Sequence, residues 1–282
     1  MDNMKQNDKL DIFHPIISEW FYKNFKKPTD IQKKAWPKIS EGRHILITAP
    51  TGSGKTLTAF LWAINRLLNN DYGIEKKRVL YISPLKALNN DIYCNLQKPL
   101  DDLKDIFNKR DNFFPKISIA IRSGDTLSSE KRKMLKDPPD IFITTPESLN
   151  ILLTSENGKK ILSGFGTVIL DEIHAIASSK RGVYLMSAIE RIAILFGEFQ
   201  RIGISATIKP LRLIADFIGG YKLKEFDGAF EYEKRKVSII RSNIKKKYKI
   251  EVLFPEAGIK TKKDDWWQIV INRYKYNTFY FP

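Results

Sequence analysis

Residues 49–56 read Ala-Pro-Thr-Gly-Ser-Gly-Lys-Thr, and they decide the fold that we predict for this 282-residue chain. They follow a short apolar run at residues 45–47 and precede a helical pattern that begins near Lys55. A glycine-rich turn between a strand and a helix points backbone N–H groups at phosphate oxygens, and the helix adds the positive end of its dipole. The stretch therefore predicts a loop that binds a nucleoside triphosphate, although Ala49 stands where the common pattern has glycine.

Individual residues of this loop have separate predicted roles. Gly52 and Gly54 allow the backbone to curl around the phosphates. Lys55 is expected to reach the β- and γ-phosphates, and the hydroxyl of Thr56 is expected to ligate Mg²⁺ beside them. The predicted nucleotide-binding residues of the loop are Thr51, Gly52, Ser53, Gly54, Lys55 and Thr56.

Two adjacent carboxylates, Asp171 and Glu172, follow a buried strand pattern at residues 167–170. Open parallel sheets place their ligand chemistry at the carboxyl ends of strands. Phosphoryl transfer needs positioning and charge neutralisation, so we expect Asp171 to hold Mg²⁺ through its water shell and Glu172 to orient and deprotonate the attacking water. The alternative is an acidic helix start, which the helix dipole favours whatever the function.

A third motif, Ser205-Ala206-Thr207, follows the strand pattern at residues 201–204. The order APTGSGKT, DExH, SAT resembles that of the superfamily 2 helicases. Segments between residues 28 and 208, notably SPLKALNND, PPDI with TTPESL, and DEIHA with SSKRG, are similar to the Lhr (large helicase-related) family. The resemblance implies an ATP-dependent DNA helicase that moves along single-stranded DNA, has a role in DNA repair and uses ATP and Mg²⁺.

The resemblance also assigns roles to Gln32 and His174. Gln32 is expected to hydrogen-bond the adenine edge, for which an amide has both a donor and an acceptor. The alternative is a solvent-facing helix residue. His174 is expected to link the γ-phosphate region to Ser205 and Thr207, and its alternative is a helix-start histidine bonded to a carbonyl.

Three further loops follow strand patterns and carry small hydroxyl groups with single basic side chains. Such groups suit contacts with phosphates better than base reading. By resemblance they hold the backbone of one DNA strand. The predicted nucleic-acid residues are Pro84, Lys86, Arg122, Gly124, Thr145, Pro146, Glu147 and Ser148. Helix capping by Ser83, Thr145 or Ser148 uses the same exposed N–H groups and is the structural alternative.

Short β-branched runs alternate with helical patterns, which is typical of βαβ units. The predicted strands span residues 45–48, 79–83, 117–121, 141–145, 168–170 and 201–205. We therefore predict an α/β, RecA-like P-loop domain whose mostly parallel sheet is flanked by helices. The predicted division is a helical lead-in at 1–27 (helices at 11–25 and 29–39 flank its end), the RecA-like domain at 28–215, and a basic linker with the incomplete start of a second RecA-like domain at 216–282. Strands at 236–242 and 247–254 and a helix at 266–276 are predicted in that last part.

Composition narrows the class of protein. The net charge of +16 and the pI of about 9.6 favour a polyanionic partner, although a generally basic proteome would give the same balance. The single cysteine, Cys94, excludes an intrachain disulfide and a thiolate metal cluster, so the metal that we expect is Mg²⁺. The polar amino terminus and the lack of a long apolar span predict a cytoplasmic protein without a membrane partner.

Few residues follow the SAT motif, so the sequence predicts a motor that is not competent alone. In the related helicases a second RecA-like domain carries the arginine finger, which is worth about 10³–10⁵ in rate. A downstream polypeptide would then supply that domain. Two alternatives stay open: a non-motor protein from a split or shortened gene that binds nucleotide and nucleic acid, and an RNA helicase of the same superfamily.

Overall fold

The computed structural model describes residues 10–69, 78–110, 114–206, 209–226 and 229–242. The chain divides into two compact units, Met1–Ser242 and Asn243–Pro282. The predicted strand at 247–254 and helix at 266–276 lie outside the described residues, and so does Thr207.

The described helices and strands alternate along most of the chain. In chain order they are α1 (Pro15–Phe25), α2 (Asp30–Ser40), β1 (His44–Thr48), α3 (Lys55–Leu68), β2 (Arg78–Ile82), α4 (Lys86–Asn108), β3 (Ile119–Arg122), α5 (Ser128–Lys136), β4 (Ile141–Thr144), α6 (Pro146–Leu152), α7 (Glu156–Leu162), β5 (Phe165–Leu170), α8 (Lys180–Phe196), β6 (Gln200–Ser205), α9 (Leu211–Gly219), β7 (Tyr221–Phe226), β8 (Ala229–Lys234) and β9 (Val237–Arg241). A 3₁₀ turn, Ile173–Ala175, follows β5.

Seven strands form one sheet in the order β3-β4-β2-β5-β6-β1-β9, and every neighbouring pair is parallel. This confirms the predicted parallel sheet. Successive residues of β1 face opposite sides: Ile45 and Ile47 belong to one buried cluster, and Leu46 belongs to the other. Both faces of the sheet are therefore covered, which explains why its strands read as continuous apolar runs.

The two amino-terminal helices have clear start signals. Thr29 caps α2, and Gln32 completes a reciprocal capping box with it, which confirms the predicted start. Helix α1 begins at Pro15 rather than at residue 11, because His14 accepts the N–H of Ile16 and proline fits the first helical position. Both helices pack into the cluster that covers one face of the sheet.

Strand β9 extends this sheet beyond the predicted domain boundary at residue 215. It pairs in parallel with β1, with His44 opposite Val237 and Thr48 opposite Arg241. Residue 215 itself is buried within α9. The predicted strand at 236–242 is therefore present, and it belongs to the first sheet rather than to a linker, because it covers the otherwise open edge of β1.

A hairpin of β7 and β8 was not predicted from the sequence. Tyr221 and Leu223 lie on one of its faces with Phe230 and Tyr232, whereas lysines and glutamates lie on the other. The alternation is short and rich in charge, so it resembles a solvated segment. None of the helices in the described part of the chain is long and apolar enough to cross a membrane.

Candidate nucleotide and nucleic-acid site

The predicted nucleotide loop joins β1 to α3. Gly52 and Gly54 have φ values of +70° and +83°, a region that favours glycine. A Cβ atom at Gly54 would lie 2.9 Å from the Gln32 amide nitrogen, so a larger residue has no room there. Helix α3 begins without a side-chain cap, which leaves its first N–H groups for a ligand.

Lys55 lies inside this loop. Its ammonium group is almost fully buried and donates to the carbonyl oxygens of Ala49 at 2.6 Å and Pro50 at 2.9 Å. The hydroxyl of Ser53 is buried and has no hydrogen-bond partner among the described residues. A buried cation and an unpaired buried hydroxyl beside a bare helix start fit the oxygens of a polyphosphate.

Gln32 is buried against the loop instead of facing solvent. Its Oε1 accepts the backbone N–H of Thr29 at 2.8 Å, and the Thr29 hydroxyl donates to the carbonyl of Ser53 at 3.1 Å. The start of α2 is thus tied to the nucleotide loop. The solvent-facing alternative is excluded, and the adenine contact stays a prediction.

Asp171 follows β5, and both of its carboxylate oxygens accept hydrogen bonds. The phenol of Tyr81 donates to Oδ2, and the backbone N–H of Glu172 donates to Oδ1 at 2.8 Å. Burial raises the pKa of Asp171 above its ordinary value, and these two donors partly oppose that shift. Sequence reasoning missed Tyr81, whose only signal was a phenol within an otherwise aliphatic buried run of β2.

Glu172 adopts a left-handed backbone conformation, with φ of +46° and ψ of +36°. For a residue with a Cβ this conformation costs roughly 1–2 kcal/mol, and such strain is common where function fixes the backbone. A 3₁₀ turn of three residues follows instead of an α-helix. A helix dipole therefore does not explain the two acids, which weakens the structural alternative.

His174 links this turn to the end of β6. Its Nδ1 lies 3.0 Å from Oε2 of Glu172, and it accepts the backbone N–H of Ala206 at 3.3 Å. One nitrogen cannot do both at once, because it donates to a carboxylate only when it carries a proton. The expected partners were Ser205 and Thr207, but the described partner is the backbone of Ala206.

Ser205 is completely buried, and its hydroxyl has no hydrogen-bond partner among the described residues. Its carbonyl accepts the N–H of Ala49 at 3.4 Å, and the Thr48 hydroxyl donates to the carbonyl of Ala206 at 3.1 Å. The SAT segment is thus fixed to the first residues of the nucleotide loop.

The loops after β2 and β3 carry two of the predicted basic residues. Lys86 is exposed and forms an ion pair with Asp125. Arg122 is partly buried, and burial lowers its pKa. Its guanidinium group forms no hydrogen bond or ion pair with the residues that the structure describes. Gly124 is exposed, whereas Pro84 is buried.

The loop after β4 combines capping with an ion pair. The Thr145 hydroxyl accepts the N–H of Ser148 at 3.4 Å, so the capping alternative holds for Thr145. Pro146 is buried, and Ser148 is nearly so. The exposed Glu147 accepts two hydrogen bonds from Arg181, which lower its pKa. Arg181 belongs to the SSKRG segment but was not predicted as a site residue.

All of these loops follow the carboxyl ends of parallel strands, so they lie along one edge of the sheet. The strands β5, β6 and β1 are neighbours and carry the predicted nucleotide residues that follow strands. The strands β3, β4 and β2 form the other half and carry the predicted nucleic-acid residues. The halves meet where β2 pairs with β5, and there the N–H of Asp171 donates to the carbonyl of Ile82 at 2.9 Å.

Comparison with known proteins gives a consistent result. The family model for DEAD/DEAH box helicases matches residues 29–214. The Lhr helicase/uracil glycosylase of Escherichia coli strain K12 is 44% identical over 218 residues, which are 74% of this chain and 14% of that protein. The ATP-dependent helicase Lhr-Core of Methanothermobacter thermautotrophicus is 48% identical over 213 residues, which are 74% of this chain and 25% of that protein.

Solved structures give the same result. The Mycobacterium smegmatis helicase Lhr bound to ssDNA and AMP-PNP has a TM-score of 0.77 and 39% identity, and the match covers 94% of this chain and 32% of that one. The DEAD-box helicase Mss116 bound to ssRNA has a TM-score of 0.62 at 20% identity, which supports the fold alone. This chain spans only 14% to 25% of the length of the two curated relatives. Because the family model covers the whole nucleotide-loop sheet up to α9, the chain belongs to the DEAD/DEAH box helicase family, within which it is similar to the Lhr helicases.

Proposed function

We propose that this chain is a motor domain of an Lhr-like, ATP-dependent DNA helicase. It binds ATP with Mg²⁺ and couples hydrolysis to movement along single-stranded DNA. The observation that carries this proposal is the division of one sheet edge into two halves that meet at the β2–β5 pair. One half has the groups for a triphosphate, and the other has groups for a sugar–phosphate backbone.

On the nucleotide half, the residues fit the triphosphate of ATP. The bare start of α3, the buried ammonium of Lys55 and the unpaired hydroxyl of Ser53 converge on the loop. We propose that Lys55 exchanges its carbonyl partners for β- and γ-phosphate oxygens when the nucleotide binds. Gln32 would contact the adenine from its place beside the loop.

The acidic residues supply the remaining groups. Mg²⁺ would neutralise phosphate charge, and Thr56 and Asp171 are the residues that would hold it. Glu172 would accept the proton of the attacking water, and its strained backbone fixes the direction of its side chain. His174 would report the state of Glu172 to the SAT segment, because its Nδ1 lies within reach of both.

On the other half, Arg122 and Lys86 would bind phosphates of single-stranded DNA. Backbone N–H groups near Thr145 and Ser148 would add contacts that carry no sequence information. The likeness to a helicase Lhr solved with ssDNA supports DNA as the substrate. RNA is the competing substrate, since contacts to phosphates do not select against a 2′-hydroxyl.

The described residues form one RecA-like sheet and therefore one wall of the proposed nucleotide site. In helicases that this chain resembles, a second RecA-like domain closes the site and supplies an arginine finger worth about 10³–10⁵ in rate. We propose that such a domain, in the same or a separate polypeptide, is needed for unwinding. The proposed substrates place the protein in the cytoplasm.

The test measures ATP hydrolysis and strand displacement by the 282-residue chain, alone and with the polypeptide encoded downstream. We expect nucleotide binding and trace hydrolysis by the chain alone, and DNA-stimulated hydrolysis with unwinding after mixing. Glu172→Gln is the control for contaminating ATPase. Robust unwinding by this chain alone would contradict the need for a second domain, and the absence of nucleotide binding would contradict the proposed function. Competition between DNA and RNA strands of matched sequence separates the two substrates.

A further inference from the structure

Tyr81 is a buried residue near the middle of β2, and its phenol reaches the carboxylate of Asp171. The ring is fully buried and donates to Oδ2 of Asp171. Phe60 of α3 stacks on the same ring, with the ring centroids 4.9 Å apart. The tyrosine therefore spans the distance from the helix that follows the nucleotide loop to the first acid of the DExH motif.

The second oxygen of Asp171 is held as well. Its Oδ1 accepts the N–H of Glu172 at 2.8 Å, and the left-handed backbone of Glu172 aims that N–H at its neighbour. Each carboxylate oxygen has two lone pairs, so these two donors leave one lone pair on each oxygen. The carboxylate is thus held at both ends while it keeps acceptor capacity.

We propose that Tyr81 is a positioning residue for the metal–nucleotide site: its phenol fixes the orientation of the Asp171 carboxylate before Mg²⁺·ATP binds. This inference rests on the proposed function, because it assumes that Asp171 holds the metal. Groups that orient a metal-binding residue commonly change metal affinity or activity by about 10- to 100-fold when they are removed. The stacked ring matters because it fixes the position of the hydroxyl.

The variant Tyr81→Phe removes the hydroxyl and keeps the ring. We expect the Mg²⁺ concentration that gives half-maximal binding of a fluorescent ATP analogue to rise by about 10-fold or more. Affinity for the same analogue in EDTA should change by less than about twofold, because Lys55 and the loop N–H groups are untouched. A merely structural role would weaken binding in EDTA and in Mg²⁺ alike.

Two further variants complete the experiment. Tyr93→Phe removes a phenol hydroxyl from a half-buried tyrosine of α4 and should behave as the unchanged chain. Phe60→Leu keeps the Tyr81 hydroxyl but removes the ring on which it stacks, so it should shift the Mg²⁺ midpoint in the same direction by less. It also replaces Tyr81→Phe as the deciding variant if that protein fails to fold.

The outcomes separate the two proposals. If the unchanged chain binds the analogue without any effect of Mg²⁺, the proposed metal site is wrong and the inference falls with it. If Mg²⁺ strengthens binding by the unchanged chain and by Tyr81→Phe to the same extent, the metal site stands and the inference is wrong. A raised Mg²⁺ midpoint with unchanged binding in EDTA supports both.

Discussion

Arg201 and Glu190 form an ion pair through two hydrogen bonds, of 2.7 and 3.1 Å, although the arginine side chain is completely buried. Arg201 also donates to the carbonyls of Ile218 and Gly219. A second arginine, Arg235, reaches Glu190 at 3.0 Å and Glu198 at 2.7 Å. The network joins β6, α8 and α9 to the segment that leads into β9.

The first prediction is that Glu190→Gln lowers the free energy of unfolding by about 3 kcal/mol, because it leaves a buried guanidinium without its carboxylate. Urea denaturation followed by circular dichroism measures the change. Glu19→Gln, which breaks an exposed pair with Arg110, is the matched control and should cost less than about 1 kcal/mol. Equal effects of the two variants would show that the buried pair has no special weight.

The second prediction concerns pH. Burial, reinforced by Arg201 and Arg235 and opposed by Glu198 and Glu190, lowers the pKa of His44 from 6.5 to about 4. The unfolded chain then binds more protons than the folded chain between these values, so stability falls as the pH drops from 6.5 towards 4. The full loss is roughly 2–3 kcal/mol.

The measurement is urea unfolding at several pH values across that range. His44→Asn is the control, because an amide oxygen can replace the ring nitrogen that accepts the N–H of Arg201 at 3.1 Å. This variant should lose part of the pH dependence between pH 6.5 and pH 4. An unchanged slope would mean that carboxylates cause the whole effect.

The third prediction separates binding from chemistry. Lys55→Ala should weaken ATP·Mg²⁺ binding by about a hundredfold, because it removes the buried cation of the loop. Glu172→Gln should change that affinity little and lower any hydrolysis by about 10²–10⁴, because only the proton acceptor is lost. Equilibrium binding and phosphate release are the two measurements. Equal loss of affinity in both variants would contradict the assigned roles.

The fourth prediction concerns DNA. Arg122→Ala should weaken binding of single-stranded DNA of every sequence and reduce the salt dependence by about 0.7 per lost phosphate contact. Lys86→Ala should act in the same direction. Asp125→Asn should strengthen binding, because it releases the Lys86 ammonium from its ion pair. Fluorescence anisotropy at several salt concentrations measures all three.

The control for this experiment is Lys159→Ala. Lys159 lies on α7, which leads into the amino end of β5, so it is remote from the carboxyl-end loops. We expect no change in DNA affinity from this variant. Strong sequence selectivity of the unchanged chain, or affinity that does not respond to salt, would contradict a grip on phosphates.

The sequence predicted the parallel sheet well because buried strands and phosphate loops have local signatures. The runs at β1 and β4 are apolar and β-branched, and the glycines of the nucleotide loop stand where positive φ values are needed. The start of α2 at Thr29 was equally readable, since a capping box lies within four residues.

What could not be predicted depends on contacts between residues far apart in the chain. Tyr81 meets Asp171 only because β2 and β5 are neighbours, and strand order is not written in either strand. The place of β9 beside β1 is a pairing of the same kind. The partner of His174 is a backbone N–H, which carries no signal in the sequence at all.

The hydrogen bond from Asp171 to Ile82 has a mechanical consequence. Ser83, which begins the proposed DNA-binding loop after β2, is the residue next to Ile82, so one ladder bond separates it from the proposed metal-binding acid. Packed strands in a hydrogen-bonded ladder have few ways to deform. A shift of Asp171 when the γ-phosphate leaves should therefore reach Ser83 with little slack, as through a short rigid lever. In this domain the stiffness of the sheet, more than the length of any loop, would set how tightly fuel consumption is geared to the grip on DNA.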